Sequence, residues 1–330
     1  MKALVTGGGG YLGGAIVRQL RARGDAVIVV GRNRYPKVEA LGATCAIADL
    51  ATDDPALADA MRGVDVVFHV AALPPHHAPR AAFVATNVDG TRRVLDAARK
   101  VGVPRLVYTS TPSVAFSGVA QEGVTEEQAP YPPSYLSPYA ETKAIAEKMA
   151  LAAHSPELAI TALRPRILYG PDEPHMLPRL IERHRAGRLR IVGDGQNRMG
   201  ITFVENAAAA HLQAADALGP TSANAGRAYF VTDAEPVLLW PWLNTFFAGI
   251  GLPPLTRRVP LPVARCAGAA FEALWAVLPL RSDPPMTRFV ATNLATSAWY
   301  DLRNARRDFG LHEVVPAAEA LNLTIAAFRR

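Results

Sequence analysis

Within its first thirteen residues the chain runs from a short apolar strand, Ala3-Leu4-Val5, into the turn Thr6-Gly7-Gly8-Gly9-Gly10-Tyr11-Leu12-Gly13, and then into an apolar-periodic helix reaching about Arg23. Strand, glycine loop and helix in that order suit a dinucleotide pyrophosphate. Gly7 permits a tight turn, Gly10 lets backbone approach the phosphates, and Gly13 lets the helix pack on the strand. The N–H groups and dipole of the helix start then favour an anion.

The same beat continues. Ala26 to Val30, Thr44 to Ala48, Asp65 to Val70, Arg105 to Thr109 and Ala159 to Arg164 read as buried strands, with helices at Ala81 to Lys100 and Tyr139 to Ala153. Continuous apolar strands alternating with amphipathic helices predict an α/β fold, a doubly wound parallel (Rossmann) sheet covered on both faces. Past Pro165 prolines break the beat and helical patterns dominate. We therefore expect a dinucleotide-binding domain over residues 1–165 and a smaller, mostly helical substrate lobe over 166–330. Val204 to Ala217 and Tyr229 to Val231 are expected to return to the sheet.

Composition narrows the class. The 330 residues carry a formal charge of +6, but the Arg and Lys residues are scattered, which argues against a nucleic-acid partner. Cys45 and Cys266 make neither a disulfide framework nor a metal cluster, and a reducing cytoplasm is the simplest setting. In its apolar surroundings Cys266 reads as a buried small hydrophobe. His69 reads as a core histidine, and His76-His77, without ligand partners, as loop surface; no metal is expected. The apolar run Pro262 to Leu280 is broken by Arg265 and Glu272, so it does not read as a transmembrane span. Contact with a membrane surface and the wall of an apolar tunnel both stay open for it.

The end of the second strand reads Val30-Gly31-Arg32-Asn33-Arg34, without an acidic residue. Arg32 and Arg34 suit a 2′-phosphate, so NADP is expected over NAD. Asp49, ahead of Leu50, is placed either to touch the adenine or to cap a helix. Ser137-Pro138-Tyr139-Ala140-Glu141-Thr142-Lys143 carries the chemistry. Ser137 caps, Pro138 suits the first helical position, and Tyr139 and Lys143 share a helical face. A tyrosine with a pKa of about 10 is a poor base at neutral pH; a nearby ammonium and an oxidised nicotinamide should lower it. Hydroxyls of Ser110, Thr111 and Ser113, where the fifth strand ends, are candidates to polarise a carbonyl.

With these motifs on the page, the chain resembles an extended short-chain dehydrogenase, in the branch of 3β-hydroxysteroid dehydrogenases and NAD-dependent epimerase/dehydratases. Further matching segments are Phe68-His69-Val70-Ala71-Ala72, Asn87-Val88-Asp89-Gly90-Thr91, Leu163-Arg164-Pro165 with Tyr169-Gly170-Pro171, and Phe203-Val204-Glu205-Asn206. The resemblance implies an NAD(P)-dependent oxidoreductase with Thr111, Tyr139 and Lys143 as its triad. It places Gly7, Gly10, Tyr11, Leu12, Gly13, Ala71, Ala72, Ser110, Pro165 and Ile167 along the cofactor and Asn87 near the ligands. It also implies a homodimer.

Arg34-Tyr35-Pro36, Leu163-Arg164-Pro165-Arg166 and Pro285-Met286-Thr287-Arg288-Phe289 further resemble reductases of long-chain 2-alkyl-3-oxo acids in bacterial olefin biosynthesis. That likeness implies NADPH, a lipid-like substrate, and company with other enzymes of the pathway. A keto acid needs a cation for its carboxylate, and Arg166, Arg179, Arg198 and Arg288 are the candidates. Trp240, Trp242, Phe246, Phe247, Phe271 and Trp275 form either an acyl tunnel or plain core. Rival readings are a 3β-hydroxysteroid or sterol-carboxylate dehydrogenase, a nucleotide-sugar epimerase, and a non-catalytic NADP-sensing module.

Overall fold

The computed structural model describes residues 1–52, 55–75, 78–278 and 284–329. Strands β1 (Lys2–Thr6), β2 (Ala26–Gly31), β3 (Thr44–Ile47), β4 (Val66–His69), β5 (Arg105–Thr109), β6 (Ala159–Pro165) and β7 (Ala228–Val231) form one sheet. Their order is β7-β6-β5-β4-β1-β2-β3 and every pairing is parallel. The order reverses between β1 and β4, and parallel sheets bind ligands in the crevice outside the strand ends at that point.

Both faces of these apolar strands must be covered. On one lies α1 (Tyr11–Ala22), burying Leu12, Ile16, Val17 and Leu20. The other is covered by α2 (Gly90–Val101) and α3 (Pro138–Ala152), through Val94, Leu95, Ala146 and Ala150. The helix expected over Ala81 to Lys100 starts at Arg80 and contains a π-helical turn, Val84–Asp89; such turns cluster at functional sites. His69 is buried, bridging Thr6 Oγ1 and Thr91 Oγ1 at 2.8 and 2.9 Å. Burial, helped by the Lys143 charge, pulls it down to about 3, so it is a neutral core residue. His76 and His77 lie outside the described residues.

After β6 the chain leaves the sheet through α4 (Met176–Arg185) and returns twice. The alanine-rich α5 (Val204–Ala217) packs beside α1, buried on nearly every side as its composition allows. β7 then adds the edge strand beside β6. The second lobe is built on α6 (Leu239–Gly249), α7 (Leu261–Val277), α8 (Arg288–Ala295) and a four-stranded sheet that includes Arg198–Met199 and Ala298–Tyr300. Trp240, Phe246 and Phe247 are fully buried in its core with Ile181 and Leu243; for these three, packing describes the aromatic stripe. The other face of the lobe departs from expectation. Cys266 is exposed, as are Val263, Leu274 and Val277, because α7 sits at the periphery with one side uncovered. Among the described residues no helix is long and apolar enough to cross a membrane.

Candidate active site

The glycine loop lies at the switch point, and its three spaced glycines are needed for different reasons. Gly7 has φ +69°, and a Cβ there would stand 2.9 Å from the Ala71 backbone beyond β4. At Gly13 a Cβ would stand 2.2 Å from the Gly7 carbonyl, so the helix can approach the strand only without a side chain. Gly10 is exposed and begins α1 with no side-chain cap, leaving the first N–H groups of the helix to a ligand. Tyr11 Oη is buried without a protein partner, and burial, with Glu173 and Glu205 nearby, holds its phenol well above the usual range. An open cradle of backbone N–H groups at a helix start fits a dinucleotide pyrophosphate. Gly7, Gly10, Tyr11 and Gly13 would hold it, with Ala71 and Ala72 across the crevice and Leu12 anchoring the loop in the core.

At the end of β2, Arg32 is exposed and makes no ion pair among the described residues, whereas Arg34 pairs with Glu39 at 2.8 Å. Asp49 Oδ1 accepts from the Ala51 amide at 2.9 Å, the bond of a turn cap, and Leu50 is buried. Sequence reasoning gave Tyr35 no role. Its ring lies across Gly9 and its hydroxyl against Gly31, where a Cβ would come within 2.1 Å of the ring and 2.3 Å of the hydroxyl. The presence of glycine at both positions was the available signal.

The residues expected to handle a proton gather where β5 and α3 meet. Ser137 Oγ accepts from the Ala140 amide at 3.2 Å, and Pro138 opens the helix. That cap sets Tyr139 in the first turn, its ring edge-on to Phe83. Beyond β5, Thr111 caps the 3₁₀ turn Pro112–Ala115 and is 3.3 Å from Ser113 Oγ. Burial pushes the Tyr139 phenol up to about 12, against a lowering by the Thr111 hydroxyl. The expected depression is therefore reversed in the protein alone, because desolvation of a phenolate outweighs the hydrogen bond. Lys143 does not bond to Tyr139. Its Nζ donates to the Thr109 carbonyl at 2.7 Å and sits 4.3 Å from the centre of the Tyr108 ring. Burial pulls this amine down to about 7, against a raising influence from Glu147.

Asn87 is also spent inward. Its Oδ1 accepts from the Leu73 amide at 2.7 Å and its Nδ2 donates to Thr142 Oγ1 at 3.2 Å, so it ties the π turn and the loop after β4 to α3. Another residue absent from the sequence reading is Glu147, one turn beyond Lys143. It is fully buried and takes Arg164 Nε and Nη2 at 2.9 and 2.6 Å, and the Tyr131 hydroxyl at 2.5 Å. Burial raises this carboxyl, but Arg164 outweighs it and holds the group below its ordinary value. Pro165 ends β6 and leads into Arg166, which is buried, and Ile167. Arg179 and Arg198 are exposed, and Arg288 pairs with Glu272 at 2.6 Å.

The comparisons agree with this geometry. Residues 4–263 match the 3-beta hydroxysteroid dehydrogenase/isomerase family. The 2-alkyl-3-oxoalkanoate reductase of Stenotrophomonas maltophilia (strain K279a) is 44% identical over 322 residues, 97% of each chain. The human sterol-4-alpha-carboxylate 3-dehydrogenase, decarboxylating, is 32% identical over 337 residues, 99% of this chain and 88% of that one. Among solved structures, a double mutant of DesIV, a dTDP-glucose 4,6-dehydratase from Streptomyces venezuelae with NAD and DAU bound, matches with a TM-score of 0.75. It is 25% identical, over 100% of this chain and 97% of that one. The chain belongs to the 3-beta hydroxysteroid dehydrogenase/isomerase family and is an NAD(P)-dependent oxidoreductase.

Two substitutions test the residues at α3. Tyr139→Phe keeps the ring and removes the acidic proton; kcat should fall by about 10²–10⁴-fold while the cofactor Kd measured by fluorescence stays the same. Lys143→Met should also lose turnover, yet be more stable than the parent at pH 7 by about 1–3 kcal/mol. The folded-state pKa of Lys143 lies below its ordinary 10.5, so between pH 7 and 10.5 the unfolded chain binds more protons. Parent stability should therefore rise with pH across that window, and urea unfolding should show the gap to Lys143→Met closing.

Proposed function

We propose that this chain reduces a long-chain 2-alkyl-3-oxoalkanoate to the 3-hydroxy acid, with NADPH as hydride donor and Tyr139 as proton donor. The observation that carries the reading is the near full-length likeness to the Stenotrophomonas reductase, in a chain that keeps Thr111, Tyr139 and Lys143 together where β5 ends against α3. The name of the human relative points to the same chemistry. In a 2-alkyl-3-oxoalkanoate and in a sterol-4-carboxylate acted on at C3, the carboxylate sits on the carbon next to the reacting one. A β-keto acid, or its β-hydroxy partner, is common to both.

When bound, the reduced cofactor supplies a hydride to the carbonyl carbon. Thr111 and Tyr139 donate hydrogen bonds to the carbonyl oxygen and draw charge onto it. As the C=O bond becomes single, the proton moves from Tyr139 Oη to that oxygen, leaving a secondary alcohol and a phenolate. A phenol held at about 12 by burial and Thr111 enters this step protonated across the neutral range. The charged form of Lys143, one helical turn away, stabilises the phenolate left behind. Arg32, exposed at the end of β2 and without an ion pair among the described residues, is the partner for the 2′-phosphate, with Arg34 beside it once released from Glu39. Pairing of two copies through the outer face of α3, where Ile145 is exposed, and work alongside other enzymes of olefin formation belong to the same reading.

Absorbance at 340 nm tests the substrate. Because β-keto acids decarboxylate readily, the reverse assay is cleaner: NADP⁺ reduction with a 2-alkyl-3-hydroxy acid should exceed that with a 3β-hydroxysteroid or a nucleotide sugar by at least about tenfold in kcat/KM, and KM should fall as methylenes are added, each worth about 0.8 kcal/mol when buried. Faster turnover of the steroid, or indifference to chain length, would move the protein to the sterol branch. Arg32→Asp should shift the ratio of kcat/KM values from NADPH toward NADH; a parent enzyme already favouring NADH would remove the role given to Arg32.

A further inference from the structure

Two arginines follow one another on β6 and its extension, and only one of them has a counter-ion. Arg164 is held by Glu147. Arg166 is 5% exposed, yet no carboxylate pairs with it among the described residues. Its Nε and Nη2 point at the Met199 sulfur, at 3.1 and 2.9 Å, and Nη2 reaches Asn293 Oδ1 only at 3.4 Å. A thioether is a weak acceptor. The Phe116 ring lies 6.0 Å away, and Tyr300, whose phenol burial pushes up while Arg166 opposes, completes the surroundings. A buried cation without an anion is costly, and such a group calls for an explanation.

The backbone holds this cation firmly in place. The Arg166 amide donates to the Val231 carbonyl at 3.2 Å and to Thr202 Oγ1 at 3.3 Å, and its carbonyl accepts from Thr202 Oγ1 at 2.7 Å. The next residue, Ile167, has φ +39°, a left-handed conformation that a β-branched side chain rarely adopts. Strain of this kind persists where the surroundings over-determine it, and it concentrates at ligand sites.

Its position follows from the Arg164–Glu147 pair. Residues two apart on an extended strand face the same side and are about 6.6 Å apart along it. The four residues from Lys143 to Glu147 on α3 rise about 6 Å. With Arg164 fixed at the level of Glu147, Arg166 stands near the level of Lys143, toward the strand ends where Tyr139 and Thr111 lie. Phe116, which Arg166 faces, closes the 3₁₀ turn that Thr111 begins.

We propose that Arg166 is the seat of the substrate carboxylate, the counter-ion that the fold itself does not provide. The other candidates are placed differently, since Arg179 and Arg198 lie at the surface and Arg288 already has Glu272. This assignment rests on the β-keto acid reading above. It makes Arg166 a binding and positioning residue that selects substrates bearing a carboxylate next to the reacting carbon.

The test compares a 2-alkyl-3-hydroxy acid with the secondary alcohol of the same chain lacking the carboxylate, both with NADP⁺. The parent should favour the acid by about 100-fold in kcat/KM, and Arg166→Met should remove that preference, lowering the acid by about 100-fold and the alcohol by less than about threefold. Arg166→Lys, which keeps the charge, should retain part of the preference. Inhibition by an unreactive 2-alkylalkanoate should weaken in parallel. A parallel loss on acid and alcohol, or an acid preference that survives in Arg166→Met, overturns the assignment while leaving the reductase reading intact. If Arg166→Met fails to fold, the preference and the inhibition constant of Arg166→Lys decide, and values equal to the parent's on both overturn it. Turnover of neither compound by the parent rejects the β-keto acid reading and the assignment with it.

Discussion

Glu147 and Arg164 are both buried to within a few per cent, and the geometry around Tyr139 hangs on their pairing. Removing two ions from water costs several kcal/mol each, so such a pair stabilises only when its bonds are complete and well aimed. Here two guanidinium nitrogens and the Tyr131 hydroxyl converge on one carboxylate, while Arg164 Nη1 is buried with no hydrogen-bond partner among the described residues. What the pair adds is direction. The face of α3 that packs inward is largely alanine, Ala140, Ala144, Ala146 and Ala150, and small apolar residues resist rotation and sliding poorly. Tyr139, Lys143 and Glu147 are each one turn apart. Fixing Glu147 against β6 therefore fixes the height and rotation at which Lys143 and Tyr139 meet the end of β5.

The same carboxylate shapes the charge of the site. Lys143 lies among a carbonyl, an aromatic face and Glu147. Burial alone would discharge it; the residual pull of Glu147 leaves it near 7. Tyr139 feels burial in the opposite sense and is driven to about 12. Neutral phenol and borderline amine are thus products of desolvation acting on a half-buried acid and on a buried base. That dryness also makes each charge interaction strong once charge develops on a substrate oxygen.

Features governed by local chemistry were legible in the sequence. The glycine spacing, the Ser137 cap, the Tyr139–Lys143 face and the apolar strands each follow from residues within a turn or two of one another, and the structure places them as that chemistry requires. The misreadings came from long-range partners. Cys266 sits in an apolar run, but burial depends on a neighbour that α7 lacks on that side. Asn87, which the resemblance places near the ligands, also bonds Leu73 and Thr142, 14 and 55 residues away, partners that no local pattern displays. Glu147 reads as one more helix carboxylate until β6 brings Arg164 against it. The pKa of Tyr139 was misjudged because the sequence displays the nearby lysine but not the loss of water.

The stretch Arg164–Ile167 joins these two kinds of information. Up to Pro165 it is a sheet strand, and Arg164 serves the helix that carries Tyr139. Beyond Pro165 the backbone is gripped by Thr202 and by the end of β7, both contributed by chain that has already passed through the second lobe. The side chain of Arg166 meets Met199 and Asn293, which belong to that lobe. The setting of Tyr139 and Lys143 is therefore fixed within the sheet and α3, whereas the environment of the buried cation is set by the lobe. Changes in the lobe can alter what sits opposite Arg166 without moving Tyr139, because the Glu147–Arg164 pair isolates the helix from them. The named relatives include a 2-alkyl-3-oxoalkanoate reductase and a sterol-4-alpha-carboxylate 3-dehydrogenase, and a lobe built apart from the sheet and α3 is where such a difference in substrate has room to arise.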